Sequence, residues 1–421
     1  MKVPQISMDS IEHMCYTGGM DAVDKLAYTA QAAIFEQDGS ESAGAGCAGY
    51  LPAGSTASGV AFRGHTIPVY QAAFPGGRRF PLLKAMLTTA CERGCNYCSF
   101  RAGRDMRRVT LKPEEMAQVF FDAQRAGIVS GLFLSTGMFA GGPNTQNKLL
   151  DCAEILRRRL GFRGYLHLKL MPGVERGQVM RAMELADRVS INLEAPNPER
   201  LAFLAPGKQF SSELFEPLRW AEAIRREHSP EHAFKGTWAS TTTQFVVGAA
   251  GESDLELLST VDRLFKRLKL RRTYFEAFNP VADTPLENHP PENPTRQQRL
   301  YEASYLLRDY GFDLEELAFE SSGRLPLDRD PKLCYADQVL RTNPVELNRA
   351  EPGQLMRVPG IGPKGCERIV RARHERRLVD LSQLRRMGIL AERAAPYILL
   401  DGRMPARQLP LFPVEQSIPQ A

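Results

Sequence analysis

Several features are missing from this sequence, and each absence excludes a class of protein. No apolar run approaches the length of a membrane-spanning helix, and the N-terminus lacks the basic and then apolar pattern of an export signal. The composition does not indicate a disordered chain, because 43% of the 421 residues are hydrophobic. We therefore expect a soluble cytoplasmic protein with no membrane partner, in a compartment where thiols stay reduced.

The chain also has little net charge, only +5, but this charge is unevenly distributed. Residues 341–407 contain 14 Lys and Arg and 7 Asp and Glu, a net charge of +7. The remainder has 40 basic and 42 acidic residues, a net charge of −2. The C-terminal segment alone therefore favours a polyanionic partner.

Five of the eight cysteines stand alone in the sequence: Cys15, Cys47, Cys152, Cys334 and Cys366. The other three, Cys91, Cys95 and Cys98, form a C-x3-C-x2-C loop after the apolar run Leu82–Leu87. This spacing lets one loop place three thiolates around one metal centre, and three ligands leave a four-iron cluster with one open iron. A zinc site is an alternative that requires a fourth protein ligand. Inert thiols are another, whereas three clustered cysteines cannot all form disulfides.

Strand-like and helix-like segments alternate between Phe80 and about Pro285. The strand-like segments are Leu82–Thr88, Gly131–Ser135, Tyr165–Leu170, Arg188–Leu193, Gln244–Val247 and Thr273–Phe278. The helix-like segments are Pro113–Ala126, Thr145–Leu160, Gly177–Ala186, Glu213–Glu227 and Ser253–Leu268. This alternation predicts parallel βαβ units. The cysteine loop (Cys91–Cys98) follows the first strand, and α/β barrels have their reactive centre at the C-terminal ends of the strands.

The cysteine loop and the six strands resemble the radical S-adenosylmethionine (SAM) superfamily. The resemblance implies an α/β fold with an open (β/α)6 partial TIM barrel. It further implies a [4Fe–4S] cluster on Cys91, Cys95 and Cys98, SAM bound to the open iron, and Tyr97 beside the adenine. An electron donor such as a flavodoxin or a ferredoxin would be required.

Three further strand ends occupy positions where members of this superfamily contact SAM. The residues implied to bind the cofactor there are Ser135, Thr136, Gly137, Asn192, Glu194 and Gly248. The first three stand in place of a Gly-Gly-Glu-like turn, although the acidic member is missing. The next two point the same way by strand alternation, and Gly248 lies in a glycine motif that lets the backbone approach adenine. Each residue taken alone is equally consistent with a structural role.

The segment Val358–Lys364, which we call the hairpin turn, resembles the helix-hairpin-helix of DNA-repair proteins. Gly360 and Gly362 allow a tight turn and the close approach of a phosphate. The following helix presents free amides, with Lys364 and Arg368 adding charge. A second, weaker hairpin is predicted around Met387–Ile389. An ordinary pair of helices with glycines at its turn is the alternative.

From about residue 80 to 405 the chain resembles the DNA modification/repair radical SAM proteins. We predict an N-terminal extension (1–80), a barrel (81–285), a connecting region (286–340), an all-α helix-hairpin-helix DNA-binding domain (341–405) and a flexible tail (406–421). The implied function is a radical SAM enzyme that acts on DNA. RNA as the substrate and a non-enzymatic iron–sulfur DNA-binding protein are the alternatives, and the sequence identifies no residue that acts on the substrate.

The tail carries a short apolar segment, Gln408–Phe412, between two prolines. It resembles the motif by which bacterial replication and repair proteins bind the DNA sliding clamp. Exposed apolar residues outside a core often serve a partner. The alternative is that Leu409, Leu411 and Phe412 fold back onto the protein itself.

Overall fold

The computed structural model describes residues 19–33, 57–73 and 79–406. Cys15, Cys47 and Gln408–Phe412 lie outside these ranges. Contacts within the chain divide it into two units, Met1–Gln297 and Gln298–Ala421. Within the described ranges, no helix is both long enough and apolar enough to cross a lipid bilayer.

An eight-stranded sheet whose strands follow the order of the chain forms the first unit. The strands are β1 (Ser58–Phe62), β2 (His65–Ala73), β3 (Arg79–Met86), β4 (Gly131–Ser135), β5 (Tyr165–Lys169), β6 (Arg188–Ser190), β7 (Ser240–Val247) and β8 (Arg272–Ala277). β1 and β2 pair antiparallel and extend the sheet beyond β3. β3 to β8 are all parallel, which confirms the predicted α/β arrangement of six strands.

Helices connect and flank the strands of this sheet. They are α1 (Ala22–Ala32), α2 (Pro113–Arg125), α3 (Gly142–Glu154), α4 (Arg176–Leu185), α5 (Pro198–Leu204), α6 (Glu216–Glu227) and α7 (Asp254–Leu268). α2 contacts α3, α3 contacts α4, α4 contacts α6 and α6 contacts α7, so these helices form one continuous layer. A parallel sheet with all its crossover helices on one face curls into a barrel, and the opposite face becomes the interior.

Local sequence explains where these helices begin. Pro113 occupies the first turn of α2, and the carboxylate of Glu115 accepts from the amide of Lys112 at 2.8 Å. Ser253 and Glu256 form the corresponding reciprocal cap at the start of α7. Proline and acidic residues are favoured at this end, because the first amides lack helical acceptors and carry partial positive charge.

The second unit consists mainly of short helices. They are α8 (Pro294–Asp309), which begins just before the boundary, α9 (Pro331–Tyr335), α10 (Pro352–Arg357), α11 (Pro363–Glu375), α12 (Leu381–Arg386) and α13 (Ala391–Ala394). Two short strands, β9 (Val345–Glu346) and β10 (Ile398–Leu399), pair in parallel, so the domain predicted to be all-α also contains a small sheet. A single core cluster runs from Ala336 and Leu340 to Leu400. The end of the predicted connecting region, 286–340, therefore packs in the same core as the helices that follow it.

Candidate functional site

The cysteine loop places its three thiols at the C-terminal end of β3. Cys95 is buried, Cys91 and Cys98 are half-buried, and all three are free. The amide of Cys98 donates to the carbonyl of Cys95 at 3.3 Å, and the amide of Phe100 donates to Sγ of Cys98 at 3.4 Å. An amide aimed at sulfur stabilises a thiolate, which is the form that binds a metal.

Burial raises the pKa of the Cys95 and Cys98 thiols. Burial also raises the pKa of the Tyr97 phenol well above its usual value, with a further contribution from Glu194. The thiols of Cys95 and Cys98 are therefore protonated near neutral pH in the apoprotein, and metal binding must release their protons.

The turn that follows β4 packs directly against the cysteine loop. The amide of Glu92 donates to the carbonyl of Met138 at 2.8 Å. A side chain at Gly137 would overlap the carbonyl of Ala90, so only glycine permits this close approach. The predicted cofactor residues Ser135–Gly137 thus lie beside the cysteines.

A buried ion pair lies beside the same loop. Nζ of Lys208 is 2.9 Å from Oε1 of Glu194, and the two side chains are only 10% and 5% exposed. Burial disfavours the charged lysine, but Cys95 and Glu194 outweigh burial and raise the pKa of Lys208. Sequence analysis missed Lys208, because a single lysine in a loop carries no signal of its tertiary partner.

The end of the fourth barrel strand differs from the prediction. β6 stops at Ser190, so the strand alternation that was expected to align Asn192 with Glu194 does not extend to them. Glu194 instead adopts a left-handed backbone, with φ of 65°, and its amide donates to the carbonyl of Gln244 at 3.0 Å. Among the described residues, its buried Oε2 has no hydrogen-bond partner. A donor on a bound cofactor would satisfy this atom.

Gly248 begins the loop that follows β7. It has φ of 100°, and a side chain there would overlap Glu292. The carboxylate of Glu252 accepts from the amides of Gly248 and Ala250 at 2.5 and 3.2 Å, which fixes the shape of the loop. Glycine at this position therefore has a conformational reason, independent of any cofactor.

Arg296 holds this glycine loop from the start of α8. Its side chain is 1% exposed, and it donates to Asp254 at 2.7 Å and to Glu292 at 2.6 Å. Glu252 lies 3.6 Å away. Loss of the arginine would leave these carboxylates buried without a countercharge, so the contacts stabilise the loop. No local motif in the sequence pointed to Arg296.

The spread of the three thiols favours a cluster over a single zinc ion. Tetrahedral zinc holds thiolates about 2.3 Å from the metal and so less than about 4 Å from one another. The Sγ atoms of Cys91, Cys95 and Cys98 do not all lie within 4.8 Å of one another. Among the described residues, a group of three potential ligands that does meet this limit is Asp21, Asp24 and His65. A four-iron cluster binds each thiolate through a different iron and accommodates wider spacing.

The second candidate site is the hairpin turn in the second unit. Gly360 has φ of 86°, and a Cβ there would lie 2.6 Å from the carbonyl oxygen of Leu390. Gly362 precedes α11 with an extended backbone, and Lys364 is exposed in the first turn of that helix. Arg368 is also exposed, and it donates to the carbonyl of Met387 at 2.5 Å. The structure thus places Gly360, Gly362 and Lys364 at the N-terminal end of α11, with Arg368 about one turn further along the helix.

Comparison with known proteins gives a family match for the segment that contains the parallel strands. Residues 86–264 match the model of the Radical SAM superfamily. The [FeFe]-hydrogenase maturase HydG from Carboxydothermus hydrogenoformans is 16% identical, with 54% of this chain and 51% of that chain covered and a TM-score of 0.43. Methylornithine synthase (PylB) is 16% identical, with 66% and 68% covered and a TM-score of 0.42.

A radical SAM methyltransferase from Sphaerobacter thermophilus is 15% identical, with 57% of this chain and 70% of that chain covered and a TM-score of 0.41. This chain spans about half the length of the HydG structure. The search of curated proteins found no match.

Proposed function

Residues 86–264 belong to the Radical SAM superfamily, whose enzymes bind a [4Fe–4S] cluster and SAM, and from this premise we propose that the chain modifies or repairs DNA. When bound, the two cofactors supply a one-electron cleavage that gives methionine and a 5′-deoxyadenosyl radical, which removes a hydrogen atom from the substrate. Cys91, Cys95 and Cys98 would hold the cluster. Glu194 and the loop that begins at Gly248 would face SAM.

The observation that carries the DNA proposal is the pair of packed turns in the second unit. Gly360 and Gly388 both have positive φ, 86° and 70°, and each stands in a short turn between two helices. The first turn packs against Leu390, and Arg368 fastens α11 to the second. The start of α11 offers free amides beside an exposed lysine, which is an arrangement that suits a phosphate.

Exposed basic residues support the same proposal. On α11 and α12 they include Lys364, Arg368, Arg371, Arg385 and Arg386. Contacts from such residues are to phosphates, so they position a duplex without reading its sequence. A base acted on in the barrel would have to leave the stack first.

Binding of DNA is tested on the full chain. Fluorescence anisotropy of a labelled duplex across a salt series should show weaker binding for Lys364→Glu than for wild type. The slope of log affinity against log salt should become shallower by about one unit, because a phosphate contact is lost. Lys266→Glu, on the exposed face of α7, is the control and should bind like wild type. Equal affinity of wild type and Lys364→Glu would remove the hairpin from the proposal.

Matched RNA and DNA, added to the reconstituted holoprotein with SAM and dithionite, separate the remaining alternatives. Formation of 5′-deoxyadenosine that rises only with DNA supports the proposal, and a rise only with RNA identifies RNA as the substrate. A protein that contains the cluster but binds no SAM would be the non-enzymatic alternative.

The sliding clamp is a second proposed partner, through Gln408–Phe412. A peptide of residues 407–416 should bind the clamp with micromolar affinity, which is typical of a short motif that is ordered on binding. Replacing Leu411 and Phe412 with alanine should abolish this binding without changing the melting temperature of the protein. A marked loss of stability would favour the alternative, in which the segment folds back.

A further inference from the structure

The contacts of β7 identify which face of the barrel sheet is interior. Arg225 of α6 donates to Oγ1 of Thr241 at 2.8 Å, so Thr241 faces the helix layer. Because side chains alternate along a strand, Ser240, Thr242 and Gln244 face the interior. Residues that pair with these three on neighbouring strands share that face.

The interior is apolar at its base and polar above it. A cluster that includes Tyr70, Phe80, Leu82 and Phe133 fills the N-terminal end of the barrel, with Tyr165 packed against it. Higher up, Nζ of Lys84 lies 4.0 Å from the centre of the Tyr70 ring. The base therefore excludes water, whereas the upper part is built from groups that bind polar ligands.

Cations outnumber acids on the interior face of β3 to β8. The strand register aligns side chains into rows that cross the sheet. One row contains Lys84 of β3 and Arg188 of β6, and the next row toward the C-terminal ends of the strands contains Lys169 of β5 and Arg272 of β8. The same face of these strands carries one carboxylate, Glu276, which accepts from Gln244. A single carboxylate cannot neutralise four cations, so this face has an excess of positive charge.

The upper row has the composition of an oxyanion site. Lys169, Ser190, Thr242 and Arg272 are direct register partners across β5 to β8. Strands lie about 4.8 Å apart, so the two cations flank the two hydroxyls over about 14 Å, within reach of their long side chains. Ser190 Oγ lies 2.8 Å from Nε2 of His167.

Two buried polar atoms on this face point to a ligand. In the described part of the chain, Oγ1 of Thr242 and Oε1 of Gln244 have no hydrogen-bond partner. Thr242 is fully buried and Gln244 is 4% exposed. Buried polar groups without partners are rare, because leaving them unpaired destabilises the fold. Their presence beside cations indicates that a ligand bonds to them.

We propose that Lys169, Ser190, Thr242 and Arg272 bind an oxyanion of the substrate inside the barrel. Given the proposed function, this oxyanion is the phosphate of a nucleotide that has entered the barrel mouth. The cations supply charge and the hydroxyls supply directed hydrogen bonds, as in other phosphate sites. The phosphate would hold the nucleotide below the cysteine loop.

Isothermal titration of the reconstituted holoprotein with SAM tests this site. The probes are the four 2′-deoxynucleoside 5′-monophosphates and the corresponding nucleosides. At least one monophosphate should bind about tenfold more tightly than its nucleoside, a difference of about 1.4 kcal/mol, because the phosphate gains charge-assisted hydrogen bonds that the nucleoside lacks. Lys169→Met should remove this difference, Lys169→Arg should retain most of it, and the control Lys266→Met should leave it unchanged.

Thr242→Val provides a variant whose folding is not at risk. Valine has a similar shape, and the hydroxyl it replaces has no hydrogen-bond partner among the residues that the structure describes. Its melting temperature should therefore equal or exceed that of wild type, while affinity for the monophosphate falls several-fold. The inference is overturned if wild type binds monophosphates and nucleosides equally, or if Thr242→Val binds the monophosphate like wild type.

Failure of this inference is distinguishable from failure of the proposed function. If DNA stimulates 5′-deoxyadenosine formation but no monophosphate is preferred, the oxyanion site is wrong and the DNA proposal stands. If monophosphates bind as expected but DNA neither binds nor stimulates, the site stands and its natural substrate is a free nucleotide rather than DNA.

Discussion

The cysteine loop and the hairpin turn are both short glycine-containing loops, but different parts of the chain hold them in place. The cysteine loop is flanked by Glu194 and Lys208, which follow it by about a hundred residues or more. The hairpin turn is held by nearby residues: Leu390 packs against Gly360, and Lys332 donates to the carbonyl of Ile361 at 2.6 Å.

This difference shows where local sequence is sufficient. The hairpin turn needs little more than its own glycines and a proline at the start of α11, because its partners lie within the same small core. The cysteine loop acquires its charged surroundings only when the barrel forms. Substitutions that remove these contacts should therefore have different effects on cluster binding and on the free energy of unfolding.

The largest effect is expected from the cysteines themselves. Alanine at Cys91, Cys95 or Cys98 should abolish the cluster, because the loop provides only three cysteine ligands and each variant leaves two. Iron content and visible absorbance after anaerobic reconstitution measure this. Cys366→Ala, a buried thiol in the second unit, is the control and should retain four irons. A full cluster in any variant of the triad would contradict the assignment.

Breaking the buried ion pair should have the next largest effect. Lys208→Met leaves the carboxylate of Glu194 buried and unpaired, so we expect a loss of about 3–5 kcal/mol of stability in chemical denaturation of the apoprotein. The double variant Lys208→Met/Glu194→Gln should recover part of this loss, because it no longer buries a charge. Equal destabilisation of the single and double variants would show that the unpaired carboxylate of Glu194 is not the cause of the loss.

A matched pair of glycine substitutions tests whether the close packing of Gly360 against Leu390 stabilises the hairpin turn. Gly360→Ala combines left-handed strain with a clash against Leu390, whereas Gly402→Ala has φ of 77° and open space around it. We expect a loss of about 3 kcal/mol for the first and about 1 kcal/mol for the second. Urea denaturation measures both, and similar losses would mean that the approach to Leu390 is unimportant.

The smallest effect concerns Lys332, which fastens the hairpin turn. Burial lowers the pKa of this lysine to about 7 in the folded chain, compared with about 10.4 for an exposed lysine. Between these values the unfolded chain binds more protons, so the contribution of Lys332 to stability rises as pH increases from 7 to about 10 and is absent below both pKa values.

Lys332→Met should remove this rise, which we expect to be on the order of 1–2 kcal/mol between about pH 7 and pH 8.5. Unfolding free energies of the two proteins at both pH values measure it. Parallel pH profiles for wild type and the variant would show that Lys332 is protonated in the folded protein.

The sequence by itself determined the α/β alternation, the cysteine loop and the hairpin turn, since the pattern that identifies each one involves residues a few positions apart. Six parallel strands appear where hydrophobic segments predicted them, and Pro113 and Asp380 begin helices as their side chains favour. These features are local because turns and helix caps are formed by neighbours along the chain.

Only the tertiary structure decided the surroundings of the cofactor site. The end of β6 at Ser190, the pairing of Glu194 with Lys208 and the clasp around Arg296 join residues from separate βαβ units. The interior row of Lys169 and Arg272 likewise exists only through strand register. Burial and long-range electrostatics select these partners, and neither leaves a periodic or spaced signal in the chain.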